Sequence, residues 1–211
     1  MTRRGRPRGG RGPVAAVGVL GSAFNPPHLG HLALAQEALW QLGLERVLLV
    51  PTGRAPHKRI LDDPGAELRL TMTRLAATED ERFVASTLEV EREGPSYTHE
   101  TLESLASEGD DDLVFIMGAD AAVGLESWRE PERVVELARL AIARRAGISA
   151  SDVASVLRSL GAEARCEMLD MPEFGISSSA ARERAKEGRP LRYVVPEPVA
   201  RFIEEKGVYS R

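Results

Sequence analysis

Short apolar runs alternate with segments of helical periodicity along most of the chain. The first run, "PVAAVGVL" at 13–20, is rich in β-branched residues and predicts a buried parallel strand. After it, apolar residues recur at helical spacing up to a glycine that is a natural helix end: Leu32, Ala35, Leu39, Leu42 and Gly43. A second apolar run, "RVLLVPTG" at 46–53, ends in Pro and Gly and predicts the next strand.

The same alternation continues to the end of the sequence. Further strands are predicted at 82–91, 112–120, 139–147 and 166–172. Further helices are predicted from Asp63-Pro64 through Leu75 and over 97–109, 149–161, 180–187 and 198–206. Because the two alternate without a linker or an internal repeat, we expect a single α/β domain over 13–211. Its core should be an open parallel sheet with helices on both faces.

One edge of such a sheet is the expected place for a ligand. In open parallel sheets, ligands bind beyond the carboxyl ends of the strands, where loops and helix N-termini face a crevice. Four segments of unusual composition fall at strand ends in this prediction: 21–31, 51–58, 118–128 and 176–182. Their coincidence on one rim predicts a single site built from all four.

The charged residues are distributed unevenly. Residues 1–12, "MTRRGRPRGGRG", contain five arginines and no acid, a composition typical of a disordered tail. The rest has 28 − 5 = 23 basic and 32 acidic side chains, which makes nonspecific nucleic-acid binding unexpected. No apolar run approaches the ~20 residues that span a bilayer. With a single cysteine, Cys166, and no membrane segment, the chain is expected to be cytoplasmic.

Two histidines, His28 and His31, stand in a Pro-rich turn within "GSAFNPPHLGHLALAQEALW". A zinc site needs three or four ligands, and the remaining candidates are not at ligand spacing from this pair: His57, His99 and Cys166. A role in the core fits a polar turn poorly. Phosphate fits better, because Gly21 and Gly30 allow it to approach the backbone and the following helix offers N–H donors. Imidazole N–H groups can add hydrogen bonds to phosphoryl oxygens.

A second candidate for phosphate binding is "ISSSAAR" at 176–182. Serine hydroxyls and free N–H groups at a helix N-terminus can bind an anion, and the guanidinium of Arg182 can clamp it. Alone, the serines would equally be an ordinary helix cap. Together with "HLGH" they favour a phosphate site, although neither a Walker A loop nor a G-x-G-x-x-G fingerprint is present.

These motifs resemble those of a known enzyme family. "HLGH" after "SAFNP" resembles the H-x-G-H signature of the nucleotidyltransferase superfamily, and "ISSSAAR" resembles its second signature. "PTGRAPHK", "PSYTHETL", "FIMGAD" with Trp128, and "VPEPVARFIEEKGVY" resemble bacterial nicotinate-nucleotide adenylyltransferase, so that the resemblance covers about 14–209. It implies a Rossmann-like fold and transfer of AMP from ATP to nicotinate mononucleotide, giving deamido-NAD and pyrophosphate with Mg²⁺.

The resemblance also implies roles for particular residues. The ATP side would comprise Gly21, Ser22, Ala23, Phe24, His28, Gly30, His31, Gly118, Asp120, Ile176, Ser177, Ser178, Ser179 and Arg182. The nicotinate mononucleotide side would comprise Lys58, Thr98, Trp128 and Arg145. His28, His31 and Arg182 are the expected catalytic groups. Three positions depart from the common family pattern without removing the site: Ala23 for a hydroxyl residue, Asn25 for Asp, and Ser179 for Thr.

The expected chemistry needs no general base, since the attacking phosphate is already ionised at neutral pH. Mg²⁺ is expected to be held mainly by the ATP phosphates and water, with no protein ligand assigned. The alternatives are a related adenylyltransferase of the pantetheine-phosphate type and a noncatalytic nucleotide-binding regulator that uses the arginine-rich tail. The sequence leaves open the choice between nicotinate and nicotinamide mononucleotide, and also whether the chain forms a homo-oligomer.

Overall fold

The computed structural model describes residues 16–56, 59–110, 112–172 and 174–210. Within them, six strands form one open sheet: β1 (Val17–Ser22), β2 (Arg46–Pro51), β3 (Phe83–Ala85), β4 (Leu113–Gly118), β5 (Ala138–Ala143) and β6 (Cys166–Leu169). The strand order is β3-β2-β1-β4-β5-β6, and every neighbouring pair is parallel. This is the doubly wound order, so the predicted fold class is confirmed. The predicted tail at 1–12 and the first residues of the first predicted strand lie outside the described residues.

Helices cover both faces of the sheet. Their bounds are α1 (Leu29–Leu42), α2 (Ala66–Ala77), α3 (Leu88–Glu91), α4 (Thr98–Ser107), α5 (Ala119–Ala122), α6 (Pro131–Leu137), α7 (Ala150–Ser159), α8 (Ser178–Lys186) and α9 (Glu197–Lys206). Apolar residues of α1, α2, α8 and α9 form one core cluster, and those of α4, α5, α6 and α7 form a second. The central strands β1, β2, β4 and β5 therefore bury both of their faces, which explains why they consist of nearly continuous apolar runs.

The side chains of the central strands alternate between the two clusters. On β1, Val19 belongs to the cluster under α4 and Leu20 to the cluster under α1. On β2, Leu48 and Leu49 divide in the same way. This alternation fixes which residues at the strand ends point to each side of the site.

The predicted strand at 82–91 is wrong over its second half. β3 ends at Ala85, and the chain turns into α3 after Ser86, whose Oγ accepts a hydrogen bond from the N–H of Leu88 at 3.3 Å. A serine that bonds to nearby backbone offers the chain an alternative to the sheet. The turn places the carboxylate of Glu89 in the interior.

Other predicted boundaries also change. α2 begins at Ala66 instead of Asp63-Pro64. Asp63 lies ahead of the helix, where its Oδ1 accepts from the N–H of Gly65 (2.9 Å) and from the side chain of Arg69 (2.8 Å). The sequence interpretation assigns no helix to Pro131–Leu137, although a proline at the first turn favours one. The predicted strands at 139–147 and 166–172 end earlier, at Ala143 and Leu169.

Candidate active site

A cleft of about 570 Å³ opens at the carboxyl ends of β1 and β4. These strands are neighbours at the centre of the sheet, where the strand order reverses direction, and this is the usual ligand position in doubly wound sheets. Eleven predicted site residues line it: Gly21, Ser22, His28, Gly30, His31, Gly118, Asp120, Trp128, Arg145, Ile176 and Ser177. Three of the four segments predicted on one rim therefore meet in this cleft.

A smaller recess of about 140 Å³ lies next to the cleft and shares Gly21, Phe115 and Trp128 with it. Its polar lining comes from the loop after β2, from α3 and the segment after it, and from α4: Thr52, Glu89, Ser96, Thr98 and Thr101. The indole of Trp128 meets the ring of Phe115 edge-on, with 6.0 Å between their centroids. Thr98, a predicted substrate residue, is the first residue of α4. The remaining predicted segment, 51–58, thus contributes Thr52 to the recess, while Lys58 lies outside the described residues.

The two histidines occupy the N-terminus of α1. His28 is the residue before the helix, and the ring of His31 in the first turn stacks on that of His28 with 3.7 Å between centroids. The backbone N–H of His28 donates to His31 Nδ1 at 3.2 Å. Because a backbone N–H can only donate, Nδ1 is unprotonated and Nε2 carries the hydrogen of the neutral ring. That Nε2 lies 3.2 Å from Ser22 Oγ, at the edge of the cleft.

Both imidazoles are neutral at physiological pH. Burial, followed by the charge of Arg145, lowers the pKa of His28 to about 4. Burial, followed by the neighbouring His28 ring, lowers the pKa of His31 well below its usual value. His28 Nδ1 is buried without a hydrogen-bond partner among the described residues. The pair can therefore offer N–H donors to a phosphate without carrying a net charge.

Within the part of the chain that the structure describes, the start of α1 leaves one backbone donor without an acceptor beside the histidines. The N–H of Leu29 donates to the carbonyl of Val194 at 3.1 Å, and that of His31 donates to the carbonyl of His28 at 2.9 Å. The N–H of Gly30, which lines the cleft, has no acceptor among the described residues. Free N–H groups at a helix N-terminus favour an anion there.

Ala23 and Phe24, predicted on the ATP side, lie behind the cleft. The ring of Phe24 is fully buried and meets His31 edge-on at 4.8 Å, so it supports the imidazole from below. The N–H of Phe24 donates to Ser22 Oγ at 3.4 Å. The carbonyl of Ala23 accepts from the guanidinium of Arg69 at 3.0 Å. Neither side chain lines the cleft, and both residues shape the loop that does.

Some residues of the "ISSSAAR" segment line the cleft, and others hold the neighbouring loop in place. Ile176 and Ser177 line the cleft, and Ser177 Oγ caps α8 by accepting from the N–H of Ala180 at 3.2 Å. Ser178 Oγ donates to the carbonyl of Pro26 at 2.9 Å, which ties α8 to the loop before the histidines. Ser179 lies outside the cleft and accepts from Arg182 at 3.4 Å.

Arg182, predicted to be catalytic, packs behind the same loop and does not line the cleft. Its side chain is 8% exposed, and Nη1 donates to the carbonyl of Asn25 at 2.8 Å. Its Nε lies 3.3 Å from the carboxylate of Asp62, which Lys186 also contacts at 3.0 Å. Asn25 Oδ1 accepts in turn from the hydroxyl of Tyr209 at 2.6 Å. Arg182 therefore belongs to a polar network that supports the loop.

The opposite wall of the cleft carries an exposed ion pair. Arg145, after β5, lies 3.4 Å from Asp120 at the start of α5. A Cβ at Gly118 would lie 2.6 Å from the Asp120 carboxylate, so glycine is the residue that leaves room for it. The pair offers a cation and hydrogen-bond acceptors on one surface.

Sequence reasoning missed two buried charged residues close to the site. Arg69 on α2 bonds to the loops that follow β1 and β2, and Glu89 lines the recess and accepts from Thr101 Oγ1 at 2.7 Å. Burial, the main cause, raises the pKa of the Glu89 carboxyl, although Thr101 and Ser96 donate to it. The signal for Arg69 was its position on the apolar stripe of α2, three residues before the buried Met72.

Metal-binding clusters and membrane-spanning helices are both absent from the described residues. No group of three or more His, Cys, Asp or Glu side chains within them converges to hold a metal ion. None of their helices combines the length and the apolar character that crossing a bilayer requires.

Comparisons with known proteins agree with this geometry. The model of the cytidylyltransferase-like family matches residues 19–184. A protein of Roseiflexus sp. (strain RS-1), named "Probable nicotinate-nucleotide adenylyltransferase", is 41% identical over 196 residues, which cover 92% of this chain and 98% of the relative. A protein of the same name from Thermus thermophilus is 43% identical over 194 residues, with 92% and 98% covered.

A solved structure gives the same fold at lower sequence identity. The Plasmodium falciparum nicotinic acid mononucleotide adenylyltransferase complexed with NaAD superimposes with a TM-score of 0.76 at 16% identity, covering 92% of this chain and 97% of that one. The match to the family model and the identity to full-length relatives go further than the fold. The chain belongs to the cytidylyltransferase-like family and, within it, to the nicotinate-nucleotide adenylyltransferases.

Proposed function

We propose that this protein transfers AMP from ATP to nicotinate mononucleotide, producing deamido-NAD and pyrophosphate. The observation that carries the proposal is the pairing of two compartments across Gly21. One holds a neutral histidine pair at a helix N-terminus, and the other is a small polar recess beside an indole. The helix N-terminus with its N–H donors suits the triphosphate of ATP, and the recess beside the indole suits the pyridine ring of the mononucleotide. The reaction requires these two substrates to meet.

The ATP phosphates bind at the N-terminus of α1 in this proposal. Nε2–H of His31 and the N–H of Gly30 supply neutral donors there, and His28 lines the same wall. Ile176 and Ser177 at the start of α8 also line the cleft, and the hydrogen bond from Ser178 to the carbonyl of Pro26 holds them beside the histidine loop. Asp120 is placed to accept hydrogen bonds from ribose hydroxyls.

The mononucleotide occupies the recess and the adjoining part of the cleft. The flat face of Trp128 suits a pyridine ring. Thr98 begins α4, a helix of 10 residues, so the ring carboxylate would lie near a partial positive charge. Arg145, exposed on the cleft wall, can offset the charge of the mononucleotide phosphate.

The reaction is an in-line displacement at phosphorus. An oxygen of the mononucleotide phosphate forms a bond to the α-phosphorus of ATP, and the bond from that phosphorus to the bridging oxygen of the β-phosphate breaks. The electron pair of that bond leaves with pyrophosphate. No proton has to be abstracted, because the attacking phosphate oxygen is already ionised. Donors on the phosphoryl oxygens stabilise the charge that grows there, and this is the role we assign to His31 and His28.

Mg²⁺ enters this proposal as part of the substrate MgATP. It neutralises phosphate charge when bound, and Mg²⁺ usually keeps several waters and takes few protein ligands. The described residues contain no cluster of three side chains that could form a separate all-protein site. The protein residues would therefore orient the phosphates, and the metal would travel with them.

A pyrophosphate-release assay tests the proposed function directly. The purified protein is incubated with MgATP and, separately, with nicotinate mononucleotide, nicotinamide mononucleotide or phosphopantetheine. We expect release with nicotinate mononucleotide and formation of deamido-NAD in equal amount. Release only with phosphopantetheine would move the chain to the related adenylyltransferases, and no release with any acceptor would favour a noncatalytic role.

A further inference from the structure

One buried arginine bridges the two loops that follow β1 and β2. Arg69 on α2 is completely buried. Its Nη1 donates to the carbonyl of Ala23 at 3.0 Å and also to the carbonyl of Thr52. Its Nη2 donates to the carbonyl of Gly53 at 3.1 Å, and its Nε donates to Asp63 Oδ1 at 2.8 Å. Three of these four bonds go to backbone at the carboxyl ends of β1 and β2.

The Arg69 guanidinium is better suited to fixing the positions of backbone groups than to stabilising the fold. Burying a guanidinium is costly, and apolar residues of similar volume often replace buried ion pairs with no loss of stability. Arg69 faces the apolar cluster beneath α2, where Met72 and Ala76 lie on the same stripe. A residue chosen only for packing would be apolar here. The guanidinium instead holds three carbonyls in fixed directions, which a hydrocarbon side chain cannot do.

The loop after β2 is also held from its opposite side. The N–H groups of Gly53 and Arg54 donate to Ser96 Oγ at 3.0 and 3.2 Å. A Cβ at Gly53 would lie only 2.0 Å from the carbonyl oxygen of Glu89, so the backbone there is closely packed. Thr52 lines the recess. Ala23 directly follows Ser22, which lines the cleft, and we call the start of this loop at Ser22–Ala23 the phosphate loop. Arg69 therefore connects the wall of one compartment to the wall of the other.

We propose that Arg69 is a positioning residue that fixes the separation between the phosphate loop at Ser22–Ala23 and the recess wall at Thr52–Gly53. The inference rests on the proposed function, in which those walls hold the two reacting nucleotides. In-line transfer requires the attacking oxygen and the α-phosphorus to be held in contact and aligned, and a displacement of about 1 Å can cost about 100-fold in rate. Arg69 touches neither reactant and acts through the backbone.

The test compares two arginine-to-lysine substitutions. Arg69→Lys keeps the positive charge but cannot hold three carbonyls, since an ammonium lacks the planar fork. Arg165→Lys is the matched control, because Arg165 also donates to two backbone carbonyls, those of Val135 and Glu136, at 2.9 and 2.8 Å. It lines neither the cleft nor the recess. Both variants are checked for native circular dichroism and for their unfolding midpoint.

The kinetic readout separates positioning from a general loss of structure. We expect Arg69→Lys to lower kcat by about 10- to 100-fold while KM for each substrate changes less than about threefold. Arg165→Lys should retain the wild-type kcat. A lower unfolding midpoint for Arg69→Lys with unchanged kcat would overturn the proposal. If Arg69→Lys does not fold, Arg69→Met is measured against the same outcomes.

A second readout does not depend on the reaction. The N–H groups of Phe24, Thr52, Gly53 and Arg54 are hydrogen-bonded within these loops. We expect their hydrogen exchange to be at least roughly tenfold faster in Arg69→Lys and unchanged in Arg165→Lys. Equal exchange in the two variants would overturn the proposal. If the wild-type protein released no pyrophosphate, the proposed function would fail while this measurement would still decide the role of Arg69.

Discussion

The imidazole of His28 lies flat against that of His31, with 3.7 Å between the ring centroids and 26° between the ring planes. The N–H of His28 donates to the Nδ1 of the ring on which its own side chain stacks. This relationship sets the tautomer of His31 and directs its Nε2–H towards Ser22. The H-x-G-H spacing thus makes one histidine orient the other.

Replacing His31 should affect turnover far more than ATP binding. We expect His31→Ala to lower kcat by about 100- to 1000-fold, because it removes a donor from oxygens that gain charge in the transition state. KM for ATP should rise by less than about fivefold. Steady-state pyrophosphate release measures both constants. A large rise in KM with kcat intact would show that the donor serves ground-state binding instead.

The depressed pKa of His28 should make the protein less stable in acid. Between pH 6.5 and pH 4 the unfolded chain binds a proton at this residue and the folded chain does not, so acidification favours unfolding. From pH 7 to pH 5, His28 should reduce the free energy of unfolding by about 2 kcal/mol. Urea unfolding of the wild type and of His28→Asn at both pH values measures the difference.

That comparison cancels the titration of groups common to both proteins, including Glu89. The wild type should lose more stability than His28→Asn on acidification, with the gap opening below pH 6.5. Equal losses would mean that His28 titrates normally in the folded protein.

Much of the fold could be predicted because buried parallel strands produce apolar runs that stand out in the sequence. The runs at 46–53 and 112–120 contain β2 and β4, and Gly43 ends α1 with φ near 61°, as its position predicts. Parallel topology then brings the strand-end segments together. Local pattern was enough for these elements because burial on both faces of the sheet imposes it.

The direction of individual side chains could not be predicted in the same way. Arg182 has the right chemistry for a phosphate, yet the carbonyl of Asn25 and the carboxylate of Asp62 hold it behind the loop. Arg69 and Glu89 are charged residues among apolar neighbours, and their partners lie on other loops. Such contacts depend on how distant segments meet, which residue spacing does not encode.

The position of Arg182 predicts an effect on stability. Arg182→Ala should lower the free energy of unfolding by about 2 kcal/mol, because it leaves the buried carbonyl of Asn25 without its donor. kcat should change less than about threefold. Denaturant unfolding and pyrophosphate release measure the two effects. Arg189→Ala, which removes an exposed pair with Glu187 on the surface, should change stability by less than about 0.5 kcal/mol.

A contrary result would be informative here. A 100-fold loss of kcat in fully folded Arg182→Ala would mean that the side chain turns into the cleft during the reaction, as its sequence motif suggests.

Trp128 in the recess should contribute to binding of the mononucleotide and not to binding of ATP. Trp128→Ala should raise KM for nicotinate mononucleotide by about 10- to 100-fold, because stacking on an aromatic ring contributes about 1–3 kcal/mol. KM for ATP should stay within about twofold. The chain contains one other tryptophan, Trp40, which is 83% exposed on α1, so Trp40→Ala is the matched control. A rise in KM for ATP with KM for nicotinate mononucleotide unchanged would place the indole at the ATP side instead.

Gly21 offers a probe of the junction between the two compartments. A Cβ there would lie 3.8 Å from the ring of Phe115, an ordinary contact distance, so Gly21→Ala should change the free energy of unfolding by less than about 0.5 kcal/mol. The added methyl group would nevertheless stand where the cleft and the recess meet. We expect kcat to fall by about tenfold or more, since the reacting phosphates must approach each other at this point.

Gly53→Ala is the instructive contrast, because its Cβ would collide with the carbonyl of Glu89 and should destabilise the fold itself. Parallel thermal unfolding and kinetic measurements on the two variants separate a blocked junction from a disturbed scaffold. Wild-type kcat in Gly21→Ala would mean that the two nucleotides do not meet across this glycine, and the two-compartment arrangement would have to be abandoned.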